Sequence, residues 1–300
     1  MQTLRRVAVK IMKGKKLRKI PNGKENVKRE IGLLRRLQHP NIVELIEVLY
    51  NDAKEKMYVV MEFCCGELQE FVEKSPNRKL GADQARYFFD QLISGLLYLH
   101  SKSVVHRDIK PGNLLISVDG TLKISDFGVA DCLSIYNNSM DCHSTAGSPA
   151  FQAPEIATGK DSFDGTKIDV WAAGVTLFFF VTGKYPFSGG NVFNLFENIA
   201  KGLFDLPEVD PLLQDLLTKM LCKDPTERIS VYQISQHPWL RISIPRQIYL
   251  DSLIQHRHHS TSLIPYLDYV YGDQDDAPLK IENILDSEEA PKSKKLCCIL

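Results

Sequence analysis

The sequence predicts an α+β fold in two unequal lobes, a small strand-rich lobe followed by a larger helical one. Three observations carry this. Short alternating apolar segments cluster before residue 63; Ala82 to Ser101 shows apolar residues at helical spacing; and helical patterning dominates from Lys167 to Gln236. A length of 300 residues has room for about two such units. The predicted boundaries are 1–63 for the first lobe, 64–241 for the second, and 242–300 for a flexible tail.

In chain order, Arg6 to Met12 alternates like a half-buried strand. The basic run Lys13 to Lys19 reads as a solvated loop, closed by the turn signal Pro21-Asn22-Gly23. Val27, Ile31 and Leu34 fall at helical spacing between Glu25 and Leu37, with Glu30 flanking the stripe. Val43 to Leu49 and Met57 to Phe63 are strand-like. After Cys64-Cys65-Gly66, the helix Ala82 to Ser101 turns Tyr87, Phe88, Leu92, Ile93, Leu96 and Leu99 inward. Short strands are expected at Leu114 to Ile116 and Leu122 to Ser125. The longest apolar stretch, Val170 to Val181, is too short to span a bilayer and reads as a core helix. Beyond Arg241 periodicity fades, and Asp273 to Lys295 turns acidic and then basic.

Composition narrows the function classes. Apolar content of 44% and charged content of 25% are those of a globular protein, and the formal net charge is zero. That balance argues against a mainly electrostatic nucleic-acid or membrane binder. The seven cysteines are scattered, odd in number and without paired zinc spacing, which predicts reduced thiols in a cytoplasmic or nuclear protein. Met1 to Arg6 has no apolar signal region. His256, His258 and His259 have no Cys or carboxylate cluster beside them and are not read as a metal site.

The chemistry is carried by three motifs in order. His106-Arg107-Asp108-Ile109-Lys110-Pro111-Gly112-Asn113 lies between a helix and a strand, Asp126-Phe127-Gly128 follows a second strand, and Ala153-Pro154-Glu155 comes later. These resemble the catalytic loop, metal-binding triplet and activation-segment end of protein kinases. The resemblance implies the two-lobed kinase fold, with ATP and Mg²⁺ (or Mn²⁺) as cofactors. It makes Asp108 the base that orients a hydroxyl, and Asn113 and Asp126 the oxygen donors for the metal. It makes Lys110 the lysine that touches the transferred phosphate in serine/threonine kinases. Ser148, in Gly147-Ser148-Pro149, is then the hydroxyl that bonds the base and this lysine. Lys10 in Val7-Ala8-Val9-Lys10 resembles the lysine of the α- and β-phosphates, with Glu30 as its ion-pair partner. Met61 would guard the pocket, and the backbone of Glu62 and Cys64 would meet adenine. Asp169, Arg228, Phe127 and His106 are given structural roles: Asp169 ties a helix to the catalytic loop, Arg228 pairs with Glu155, and Phe127 stacks with His106.

One kinase feature has no counterpart. Nine residues precede Lys10 and none is glycine, so the sequence reads as a kinase lacking its first two strands and their glycine-rich hairpin. That leaves two function classes: a serine/threonine kinase, or a truncated isoform that occupies kinase adaptors as a non-catalytic binding module.

Some stretches are similar to one family in particular. Arg18 to Gly23, Val48 to Asn51, Gly147 to Gln152 and Leu195 to Ile199 together resemble the liver kinase B family, tumour-suppressor kinases that act on AMP-activated protein kinase. Arg107 and Ala153 match kinases at large, which marks a divergent relative. The resemblance implies activation-segment threonines of such kinases as substrates, with a pseudokinase adaptor and a helical-repeat scaffold as partners. It also draws attention to Ser139, Ser144 and Thr145 between Cys132 and Ala146. Finally, Cys297-Cys298-Ile299-Leu300 fits a prenylation box preceded by Lys292, Lys294 and Lys295, and the family carries such a tail. Lipid on Cys297 implies a membrane-associated pool beside the soluble one.

Overall fold

The structure is a computed structural model. It describes residues 6–19, 23–51, 53–128, 130–132, 141–142, 147–159, 162–243 and 297–299. The chain divides into two compact units, Met1–Pro245 with Cys297–Leu300, and Arg246–Leu296. The second lies outside the described residues, as does nearly all of the predicted tail.

The first lobe is built on strand β1 (Val7–Lys13), a helical turn α1 (Gly14–Leu17), helix α2 (Gly23–Leu34), and strands β2 (Leu45–Asn51) and β3 (Lys56–Glu62). The strand β3 is central and antiparallel to both neighbours, with Lys10 opposite Val59 and Leu49 opposite Tyr58. Alternation puts Ala8, Val59 and Met61 on one buried face of the sheet, Val9 is buried on the other, and Val27, Ile31 and Leu34 of α2 also lie buried. The basic run departs from the expected loop: Gly14 N–H donates to Glu55 O at 2.7 Å and Arg18 N–H to Gly14 O at 3.1 Å, closing a single turn. Arg18 then pairs with Glu55 at 2.6 Å on the surface.

After strand β4 (Cys64–Glu67) and helix α3 (Leu68–Lys74), helix α4 spans Ala82–Ser101 as its periodicity requires. Phe88, Phe89, Leu92, Ile93, Leu96 and Leu99 are buried, whereas Tyr87 is half-buried, its ring edge-on to Phe88. The short strands β5 (Val104–Val105), β6 (Leu114–Ser117) and β7 (Leu122–Ile124) follow, with β4, β6 and β7 forming a small antiparallel sheet. Two further two-residue strands, β8 (Asp131–Cys132) and β9 (Asp141–Cys142), pair with β5 and with β10 (Phe163–Asp164), and helix α5 (Pro154–Ala157) lies between.

Helix α6 (Gly165–Thr182) is the axis of the second lobe. At 18 residues it is long and apolar enough to cross a membrane, yet 83% of that span is buried inside the protein. The expected core helix is therefore observed, although longer than the apolar run alone indicated. Asp164 caps its start by accepting from Thr166 N–H, and Gly183 ends it in a left-handed turn (φ 70°). A Cβ at Gly183 would lie 2.4 Å from Arg78 O, so both the conformation and the space call for glycine. Helices α7 (Val192–Lys201), α8 (Pro211–Met220), α9 (Val231–Ser235) and α10 (Pro238–Arg241) complete the lobe. A last strand, β11 (Cys297–Ile299), lies antiparallel to β1 with Val9 opposite Cys297. The sequence treats these residues as the end of a flexible tail; in the structure they supply backbone partners to one edge of β1.

The second lobe is tied together by Glu155 and Arg228. Both side chains are buried, and the guanidinium makes a two-pronged contact with the carboxylate at 2.7 and 2.9 Å. Arg228 also donates to the carbonyls of Lys167 and Cys222 and lies over the Trp171 ring. Removing one partner would leave the other charged and unpaired in the interior. Arg228→Met should therefore lower unfolding stability by about 3–5 kcal/mol, measured by denaturant or thermal unfolding; a loss below about 1 kcal/mol would refute this role.

Candidate active site

The site is assembled on loops held by rigid elements. Residues 106–113 run between β5 and β6, and their backbone is pinned from below by Asp169 of α6. This fully buried carboxylate accepts the N–H groups of His106 at 2.9 Å and Arg107 at 2.8 Å, and lies 2.9 Å from His100 Nε2. Burial pushes the carboxyl upward, but donation from His100, the nearby imidazoles and the His106 N–H outweighs it and holds Asp169 below the ordinary carboxylate value. Arg107 sits at φ 67°, a left-handed turn that this clamp enforces.

The turn delivers Asp108 to a ring of donors. Lys110 Nζ lies 2.6 Å and Asn113 Nδ2 2.9 Å from its Oδ2, while the N–H and hydroxyl of Ser148 reach its Oδ1 at 2.9 and 3.0 Å. Lys110 also donates to Ser148 Oγ at 2.6 Å. Ser148 can come this close because residue 147 is glycine: at φ 112°, a Cβ there would sit 2.6 Å from Arg107 O. Burial raises the Asp108 carboxyl, but the Lys110 ammonium and the hydrogen bonds from Ser148 and Asn113 outweigh it, so the group lies below its ordinary value.

A second cluster faces it from the small lobe. Lys10 Nζ is 2.7 Å from Glu30 Oε1 and 3.7 Å from Asp126 Oδ1. Burial works against its charge, but Glu30 and then Asp126 prevail and raise the ammonium above its ordinary value. Asp126 occupies a left-handed conformation (φ 63°) between Ser125, which donates twice to Asn113 O at 2.9 Å, and buried Phe127, whose ring meets His106 edge-on at 5.0 Å. Met61 is buried on β3, and Glu62 and Cys64 stand at the passage between lobes.

The structure thus brings the predicted groups into two sets, Asp108–Lys110–Asn113–Ser148 and Lys10–Glu30–Asp126, joined through Ser125. Among the described residues no three His, Cys, Asp or Glu side chains converge as a closed metal cage. Asn113 spends its amide nitrogen on Asp108, which leaves the amide oxygen as its donor atom, and the Asp126 carboxylate is half exposed. Two oxygen donors of this kind fit Mg²⁺, which binds through one or two protein groups and completes its shell with phosphate and water oxygens. Cys132 is described only as backbone, and Ser139, Ser144 and Thr145 lie outside the described residues. Sequence reasoning passed over His100, whose imidazole helps hold Asp169, and Lys123, which contacts Glu62 at 2.9 Å.

Residues 1–240 match the protein kinase domain. The chain belongs to the protein kinase family. Within that family it is 51% identical over 279 residues to the serine/threonine-protein kinase stk11 of Xenopus laevis, covering 90% of this chain and 64% of the relative. It is 49% identical over 294 residues to human serine/threonine-protein kinase STK11, covering 96% of this chain and 67% of the relative. To the kinase par-4 of Caenorhabditis elegans it is 46% identical over 249 residues, covering 82% of this chain and 40% of the relative. This kinase-family chain therefore spans about two thirds of the length of its STK11 relatives, and its likeness to the liver kinase B family extends along most of it.

The depressed value of Asp108 has a sign that can be tested. A carboxyl lowered on folding contributes stability that is present above its unfolded value (about 3.9) and lost as pH falls through the folded value. At neutral pH Asp108 is ionised. Replacing its largest stabilising neighbour, as in Lys110→Met, leaves burial less opposed and moves the Asp108 value upward. The acid limb of the phosphoryl-transfer pH profile should then shift toward neutral pH. An unshifted limb would mean that another group governs it.

Proposed function

We propose that this protein is a serine/threonine protein kinase, transferring the γ-phosphoryl group of ATP to protein hydroxyls. The observation that carries the reading is the Asp108 carboxylate held between Lys110 and Ser148, with Lys110 bridging the two. An incoming serine or threonine hydroxyl would take the place of the Ser148 hydroxyl as donor to Asp108. Its oxygen bonds to the γ-phosphorus while the β–γ bridging bond breaks, and its proton passes to Asp108. Lys110 then donates to the transferred phosphoryl oxygens. Lys10, kept charged and aimed by Glu30, would hold the α- and β-phosphates, and the backbone of Glu62 and Cys64 would meet the adenine edge. Mg²⁺, or Mn²⁺ in its place, bound through Asn113 and Asp126, would supply charge neutralisation on the phosphates.

The finer reading follows the family resemblance. The substrates proposed are activation-segment threonines of AMP-activated-type kinases, presented with the help of a pseudokinase adaptor and a helical-repeat scaffold. The location proposed is cytoplasmic or nuclear with a membrane-associated pool. In a chain that ends at Leu300, the terminal leucine directs a geranylgeranyl group to Cys297. One lipid anchors weakly, and Lys292, Lys294 and Lys295 would add about 1 kcal/mol each near anionic lipid.

Asp108→Asn keeps the size of the side chain and removes the proton acceptor. It should remain folded and lose about 10²–10⁴-fold in turnover, measured with ATP·Mg and a threonine-containing protein substrate. Near-full turnover, or phosphotyrosine as the main product of the unsubstituted enzyme, would refute the assignment. For the lipid, Cys297→Ser should move the membrane-associated pool to the soluble fraction without changing turnover on a soluble substrate. An intact mass from cells showing an unmodified C-terminus at Leu300 would rule it out.

A further inference from the structure

Lys123 and Glu62 form an ion pair that the catalytic reading does not use. Lys123 lies at the middle of β7, and Glu62 ends β3 where the chain passes to the second lobe. Their atoms are 2.9 Å apart, with side chains only 14% and 15% exposed. Glu62 is held further by residue 44: its carboxylate accepts the Glu44 N–H at 2.8 Å, and its own N–H donates to Glu44 O at 3.0 Å.

The segment Asn41–Glu44 is in turn stitched to β7. Ile124 N–H donates to Asn41 O at 2.8 Å, Val43 N–H donates to Ile124 O at 3.0 Å, and the buried Asn41 amide donates to Leu122 O at 3.1 Å. Three backbones, residues 41–44, 62 and 122–124, are thus joined side by side. The Lys123–Glu62 pair closes the set directly between the second and the third. Beyond β7, Asp126 follows Ile124 by two residues.

We propose that Lys123 and Glu62 are a positioning pair for the nucleotide. They fix the separation between the backbone that meets adenine and the strand that delivers Asp126 toward the phosphates and their metal. The proposal rests on the nucleotide-site reading above. A nucleotide is gripped at both ends, so its affinity depends on the spacing of the two grips as well as on each grip alone. A mostly buried ion pair suits this task, because loss of one partner leaves an uncompensated charge and the surrounding backbone must shift. Neither charged group is placed against the reacting atoms, so the pair acts through geometry.

The test compares ligands that engage one grip or both. Adenosine alone and Mg·ATP would be titrated by calorimetry into the full protein and into Lys123→Met, Lys123→Arg, Glu62→Gln and the Lys123→Met/Glu62→Gln double variant. In Lys123→Met, the Kd for Mg·ATP should rise about tenfold while that for adenosine stays within about twofold. Lys123→Arg should stay near the parent, and the double variant should be no weaker than the weaker single, as for two halves of one contact. An unchanged Kd for Mg·ATP in Lys123→Met overturns the proposal. Equal weakening of adenosine and Mg·ATP together with a lower Tm also overturns it, since that marks general loosening. An unsubstituted protein that binds no Mg·ATP would instead refute the nucleotide-site reading itself.

Discussion

The geometry of the site depends first on one buried carboxylate. Asp169 sits in the core helix α6, out of reach of water, and its charge is tolerated because every approach to it is a donor: two backbone N–H groups and the His100 imidazole. Those two N–H groups belong to consecutive residues of the catalytic loop, so satisfying the buried charge and shaping the loop are the same event. If the loop relaxed, an ionised group would be left unpaired in an apolar helix bundle, a state costly by several kcal/mol. The loop's conformation is thus secured by the helix beneath it more than by its own sequence. Local propensity would not choose φ 67° for Arg107.

Two left-handed non-glycine residues, Arg107 and Asp126, stand one on each side of the site. Such conformations cost roughly 1–3 kcal/mol each and persist only where the surroundings over-determine them. For Arg107 the determinant is Asp169. For Asp126 it is the neighbours on either side, Ser125 bonded twice to Asn113 O and Phe127 buried against His106, with Lys10 close to its carboxylate. His106 belongs to both arrangements: its N–H reaches Asp169, and its ring nitrogen lies 3.0 Å from Ser125 O. The proposed base and the proposed metal donor are therefore placed by one continuous set of contacts.

How far the sequence reveals this varies with the range of the interaction. Lys110, Asn113 and Asp108 are read together because the chemistry demands those residue types within a few positions, and the helix Ala82–Ser101 is read to the residue because its buried stripe is long. The Lys10–Glu30 pair is legible through the kinase resemblance, which expects a strand lysine and an acidic partner on the next helix. His100 and Lys123 are not legible from their neighbours in the chain, because each acts on a residue more than sixty positions away. The one signal, for Lys123, is placement: a charged residue in a three-residue strand flanked by Leu122 and Ile124, both fully buried, has to find a partner. The turn at Gly14–Leu17 is hard to read for a related reason, since its first N–H is anchored by the carbonyl of Glu55 across the lobe.

The electrostatics of the site share one design. Each working cation is set against two acceptors: Lys10 between Glu30 and Asp126, Lys110 between Asp108 and Ser148. One acceptor in each pair is firmly placed, Glu30 by burial and Asp108 by its four donors, and it aims the cation. The other acceptor differs between the pairs: Asp126 is half exposed and 3.7 Å from Lys10, whereas the Ser148 hydroxyl lies as close to Lys110 as Asp108 does, at 2.6 Å. A phosphate bound as proposed above would recruit Lys10 by displacing only its weaker contact, the one to Asp126. Such a site is electrostatically organised before its ligand arrives, and little reorganisation is left for the moment of reaction.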